Sequence, residues 1–121
     1  MANPNLINTT SCLLKTVILG SIATSVPGTT ALSSITGKHQ KVVAAYFCNT
    51  TASTVTIDLY HNSQGGQKYY FKSVDLPGNT TIVGVTKDAP IHFPEGSHTL
   101  CVQASASGVD VLLSVEEYDD A

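Results

Sequence analysis

An all-β sandwich is the fold this sequence predicts, and three observations predict it. Short apolar runs read as strands, several of them alternating apolar and polar residues with a period of two. Turn-rich segments separate the runs at regular intervals. Two of those segments, Leu76-Pro77-Gly78-Asn79 and Gln64-Gly65-Gly66, carry the residue order that tight turns need. Strand–turn spacing of this kind belongs to antiparallel sandwiches and barrels. We therefore expect one antiparallel, jelly-roll-like β-sandwich domain over 12–118, an extended N-terminal arm over 1–11 and an acidic C-terminal tail over 119–121.

The elements follow in chain order. Met1–Thr10 is polar, with Asn3, Asn5, Asn8 and Pro4, and reads as an arm. Leu13–Leu19 and Ala31–Ile35 read as strands joined by a turn near Pro27-Gly28. The β-branched Thr16, Val17, Ile18, Ile22, Thr24 and Val26, with Gly20 among them, favour strand over a helix at Leu13–Ser25. The apolar stretch Cys12–Val26 is not expected to be a signal peptide, since no positive charge precedes it and Lys15 interrupts it. It is also too short and polar to span a membrane.

Lys41–Asn49 reads as a strand whose stretch Val42–Cys48 is apolar on both faces, which marks a central strand or one whose second face meets a neighbour. In Thr54–His61, Val55, Ile57 and Leu59 point one way, while Thr54, Thr56, Asp58 and Tyr60 point the other. Lys68–Val74 and Thr80–Val85 continue the series, with Tyr69 and Phe71 expected on one face and Tyr70 on the other. Pro90 and Pro94 bracket Ile91-His92-Phe93, an edge strand or strap, because proline cannot donate to a ladder. His98–Ala104 and Val109–Tyr118 complete the strands. In the last, Val109, Val111, Leu113 and Val115 oppose Asp110, Leu112, Ser114 and Glu116. Its acidic end, Glu116–Asp120, is expected to stay solvated or to meet a basic partner.

Composition limits the function classes. The chain has 121 residues, enough for one domain with a core. Only 12% of residues are charged against 42% hydrophobic, about half the usual charged share. A surface covered mainly by Thr, Ser, Asn and Gln suits a subunit that is in contact with others. The net charge of −3, the absence of arginine and six scattered lysines argue against direct nucleic-acid binding.

No catalytic or metal-binding pattern emerges. Cys12, Cys48 and Cys101 lack paired spacing; Cys48 and Cys101 read as small buried hydrophobes or, more sharply, as an inter-sheet bridge. A reducing compartment of synthesis suits them. His39, His61, His92 and His98 show no ligand spacing, and such positions mostly hold solvated or locally hydrogen-bonded imidazoles. There is no nucleophile elbow and no phosphate loop, so neither enzymatic activity nor a cofactor is expected. Asn-Thr-Thr at Asn8, Asn49 and Asn79 is better read as turn chemistry than as glycosylation. Tyr46, Tyr60, Tyr69, Tyr70 and Phe71 serve either core or subunit packing or, less commonly, sugar stacking.

The opening Met1-Ala2-Asn3-Pro4-Asn5-Leu6-Ile7-Asn8-Thr9-Thr10-Ser11 with Lys15-Thr16 resembles the start of small virion proteins of tailed bacteriophages. Ala44-Ala45-Tyr46-Phe47-Cys48-Asn49, Leu76-Pro77-Gly78-Asn79-Thr80-Thr81, Phe93-Pro94-Glu95-Gly96 and Val109–Val115 are similar in pattern. The resemblance covers most of Met1–Tyr118 and rests on strand and turn patterns. It implies a β-sandwich component of the phage particle, attached to the capsid or to the neck and tail, and it carries over no catalytic residue.

The expected function is a capsid decoration (cement) protein that binds the outer shell and stabilises it, made in the host cytoplasm and resident in the virion. Its expected partners are further copies of itself, as dimers or trimers, and the major capsid protein or another virion protein. The arm, with Asn3, Pro4, Asn5, Leu6 and Ile7, is expected to lie along a neighbour. Two alternatives are a neck, tail or baseplate component and a host-glycan-binding module that uses Tyr60, Tyr69 and the Asn62–Gly66 loop with Gly65 and Gly66.

Overall fold

A computed structural model describes residues 12–20, 22–25, 28–63, 66–93 and 96–119. They form nine strands: β1 (Cys12–Leu19), β2 (Thr29–Ser33), β3 (Lys38–Asn49), β4 (Val55–Ser63), β5 (Gly66–Leu76), β6 (Thr81–Val85), β7 (Ile91–Phe93), β8 (Thr99–Ala104) and β9 (Val109–Asp119). One sheet runs β1-β9-β3-β6, with β7 also paired to β3; the other runs β2-β8-β4-β5. All pairings are antiparallel. With β7 set aside, this alternation of eight strands between two four-stranded sheets is the jelly-roll order. β7 continues the line of β6 along the outer edge of β3, where Pro90 costs no ladder bond.

β3 is central, as its two apolar faces require, with β9 on one side and β6 and β7 on the other. Strict alternation along β3 would put Val42 and Tyr46 on one face. A β-bulge between Val42 and Ala44 breaks the period, so Val42, Ala45 and Phe47 all turn inward and Tyr46 turns outward. A second bulge sits where Leu59 pairs with Phe71 and Tyr60 with Tyr69, so that Tyr70 of β5 is skipped. It separates Phe71, which packs on the core, from Tyr69. The expectation that Tyr69 and Phe71 share a face is therefore corrected.

The core lies between the sheets. Val111, Leu113 and Val115 of β9 and Val42, Ala45 and Phe47 of β3 face Ile57 and Leu59 of β4 and Leu100 and Val102 of β8. Phe47 meets Phe71 edge-on at 5.5 Å between ring centroids, joining the sheets. Each such buried side chain contributes about 1.5–3 kcal/mol relative to exposure.

One end of the sandwich is tied by Asn49, which is fully buried. Its Nδ2 donates to the carbonyls of Ser53 (2.7 Å) and Leu76 (3.0 Å), and its Oδ1 accepts from Thr51 N (2.9 Å) and Thr51 Oγ1 (2.7 Å). The backbone amides of Thr50 and Asn79 add bonds to Gly108 O and Thr51 O. The Asn49 amide thus ties the loop after β3 to the end of β5, and Thr50 joins that loop to Gly108. Asn79, in the left-handed region at φ 55, fits the turn reading of its triplet.

The acidic residues Glu116, Glu117 and Asp119 belong to β9. β9 extends to Asp119 because it pairs with β1 on one side and β3 on the other, through Cys12↔Tyr118 and Lys38↔Asp119. Glu117 accepts from Lys15 Nζ at 3.0 Å, Asp119 pairs with Lys38, and Glu116 accepts the Tyr118 hydroxyl. Asp120 and Ala121 lie outside the described residues. The three cysteines are unbridged, with Cys48 and Cys101 on different sheets.

Candidate functional site

The outer face of the β1-β9-β3-β6 sheet carries an apolar row that crosses every strand. The register places Ile18 beside Leu112, Leu112 beside Tyr46, and Tyr46 beside Val83. All four are exposed: Ile18 by 72%, Leu112 by 37%, Tyr46 by 42% and Val83 by 51%. The next row along the strands is Thr16, Ser114 and Ala44, and the one beyond it is Leu14, Glu116 and Lys41. On the other side lie Asp110, Cys48 and Thr81. The face is an apolar band edged by small neutral side chains, with Lys41, His92, Glu116 and Asp110 at its margins. Large apolar groups set in a contiguous row mark contact surfaces, whereas single exposed ones do not.

Bulging in β3 builds this row. Without the extra residue near Val43, Tyr46 would turn inward and the band would be interrupted at its centre. In the sequence, Leu112 is the visible sign, an apolar residue on the polar side of its strand's alternation. The row itself depends on strand order and was not legible from spacing.

The aromatic corner expected on the second sheet is largely closed. Tyr60 is fully buried rather than solvent-facing, a correction to its assignment to an open aromatic face. Tyr69 lies over it at 5.1 Å between centroids, and the backbone at Gly28 comes so near that a Cβ there would stand 2.6 Å from the Tyr60 hydroxyl. Burial raises the Tyr60 phenol above its ordinary pKa. Tyr69 remains 39% exposed, but Lys72 Nζ sits 4.8 Å from its ring centroid and occupies one face. Gly66 is exposed at φ 94, where the hairpin closes through the pair Ser63↔Gly66. Gly65 and the arm residues Asn3, Pro4, Asn5, Leu6 and Ile7 lie outside the described residues.

Folding also joins two histidines that are 37 residues apart. His61 Nε2 and His98 Nδ1 stand 2.7 Å apart, beside Phe93. The ring centroids are 4.8 Å apart. So large a centroid separation for so short an N···N distance means that the two nitrogens meet nearly head-on. That is the geometry of a hydrogen bond; two ligands of one metal would converge on a point beside them. Desolvation first, and the neighbouring His98 second, lower the pKa of His61. His98 is fixed by Ser34, whose N and Oγ both donate to His98 O at 3.0 Å.

The open groove beside this pair, about 520 Å³, is lined among the described residues by hydroxyls, Asn62, Gly96 and His98. Among the described residues no group of three or more His, Cys, Asp or Glu is placed to hold a metal, and no helix is long and apolar enough to cross a membrane. The arrangement that offers most surface for a definite task is the apolar row, and its chemistry is that of contact between macromolecules. No family model, curated protein or solved structure matches this chain.

Proposed function

We propose that this chain is a structural protein of a bacteriophage virion, a capsid decoration or cement protein that binds the outer shell and stabilises it. The observation that carries the reading is the uncovered row Ile18–Leu112–Tyr46–Val83, in a chain with 12% charged residues. Such a face is costly on an isolated subunit and useful on one that works by contact. The resemblance to small virion proteins points the same way. Fold-level analogy adds a little, since jelly rolls serve capsids as well as lectins.

The mechanism is thermodynamic. A protein that binds the mature shell and not its ruptured state raises the free energy of rupture by its binding free energy. Several weak contacts per oligomer make attachment firm. A neck, tail or baseplate position keeps the same chemistry with fewer copies.

The test is to add purified protein to particles that lack it and measure the temperature at which packaged DNA is released. Decoration predicts co-sedimentation with the shell and a higher release temperature. No attachment to shells would overturn the assignment to the capsid.

A further inference from the structure

The apolar row has a property beyond exposure: under one symmetry operation it complements itself. Consider a two-fold axis in the plane of contact, parallel to the strands and midway between β9 and β3. That operation lays β9 of one copy on β3 of the other and β1 on β6. Because the register is known, the facing residues follow. Leu112 meets Tyr46 of the second copy, Ile18 meets Val83, and Ser114 meets Ala44. Glu116 meets Lys41, with the opposite sign, and the remaining charge, Asp110, meets the uncharged Cys48.

We propose that this face is the contact between two copies of the chain, packed sheet on sheet about that axis. An isologous contact requires a patch complementary to itself, and this one is so in both apolarity and charge. A strongly acidic or basic partner would find no matching field here, because among the described residues Lys41, with His92 beside it, is offset by Glu116 and Asp110. Strands β1, β9 and β3 and the line of β6 with β7, about eight residues of each, make a face of roughly 500 Å². Two such faces bury roughly 1,000 Å², the lower bound of a specific interface. Small residues in the row beside the band (Thr16, Ser114 and Ala44) let the two sheets approach to the usual sheet-packing distance.

The inference rests on the reading that this protein works by assembly, and it names the surface. It leaves the second sheet's outer face for the shell.

Sedimentation equilibrium of the purified chain, from low to high micromolar, tests it. The expected result is a dimer. Tyr46→Lys and Val83→Lys should each give monomers with an unchanged circular dichroism spectrum and the melting temperature of the wild type diluted below its dissociation constant. The charge pair supplies an internal control that does not depend on apolar loss. Lys41→Glu and Glu116→Lys should each weaken the dimer at least tenfold, and the double exchange should restore it. A wild-type monomer at high micromolar concentration, or a double exchange as weak as the single ones, would overturn the proposal.

Particle binding separates this inference from the virion reading. A monomer that still attaches to particles sinks only the two-fold contact. A dimer that binds no particle sinks only the virion assignment.

Discussion

His61 of β4 and His98, at the entry to β8, share one hydrogen bond of 2.7 Å between Nε2 and Nδ1. One ring must donate and the other accept, so the bond exists only while at least one is neutral. Lys68 is the cross-strand neighbour of His61 and a further positive charge, while Phe93 and Ser34 bring none from β7 and the end of β2. Glu95, in the loop before His98, lies outside the described residues.

The sign of the pH effect follows from the lowered pKa of His61. Between its folded and unfolded pKa values the unfolded chain binds more protons, so stability rises with pH there. The stabilisation is complete above the ordinary histidine value of about 6.5 and is lost as pH falls through the folded value. Thermal melts at pH 8 and pH 5 should show a lower midpoint at pH 5. His61→Gln should flatten that difference; an unchanged difference would remove His61 as its source.

Asn49→Ala removes four hydrogen bonds at a fully buried position. It leaves the Leu76 carbonyl without that donor, and we expect a loss of about 2–4 kcal/mol in urea unfolding with little change in slope. Asn49→Asp should cost at least as much, because a carboxylate would present acceptors to the carbonyls of Ser53 and Leu76.

Gly78 and Gly20 predict opposite outcomes for the same substitution. A Cβ on Gly78 would stand 2.3 Å from the Ala52 carbonyl oxygen, a backbone atom that cannot swing aside. Gly78→Ala should therefore destabilise by about 1–3 kcal/mol. Nothing lies within 4 Å of a Cβ on Gly20, and Gly20→Ala should be neutral or slightly stabilising. Equal melting temperatures for the two variants would contradict this geometry.

Tyr69→Ala uncovers Tyr60 and removes the ring beneath Lys72. The expected effect is a stability loss of about 1 kcal/mol, with no change in binding to a glycan array. Glycan binding by the wild type that this variant abolishes would instead favour a receptor-binding module.

Much of the fold was legible because inward residues recur every second position. Val55, Ile57 and Leu59 in β4, and Val109 to Val115 in β9, are buried as their alternation demands. What was not legible traces to insertions that leave no mark in composition. The bulge near Val43 decides which way Tyr46 points, and the bulge opposite Leu59 and Tyr60 parts Tyr69 from Phe71. Tyr60 looked like a surface residue because alternation opposes it to Leu59, yet Tyr69 and the chain at Gly28 cover that second face.

Asn49 was recognisable as a turn residue, but not its bond to Leu76, 27 residues away. The contact row needs four strands in their spatial order. No local pattern brings Ile18, Leu112, Tyr46 and Val83 together.

The most direct test of the proposed virion role is the number of copies of this chain per purified phage particle, by quantitative mass spectrometry against the major capsid protein. Shell decoration predicts a ratio near one-to-one, or a simple fraction of it. A handful of copies would move the protein to the neck or tail, and its absence from particles would contradict the virion reading altogether.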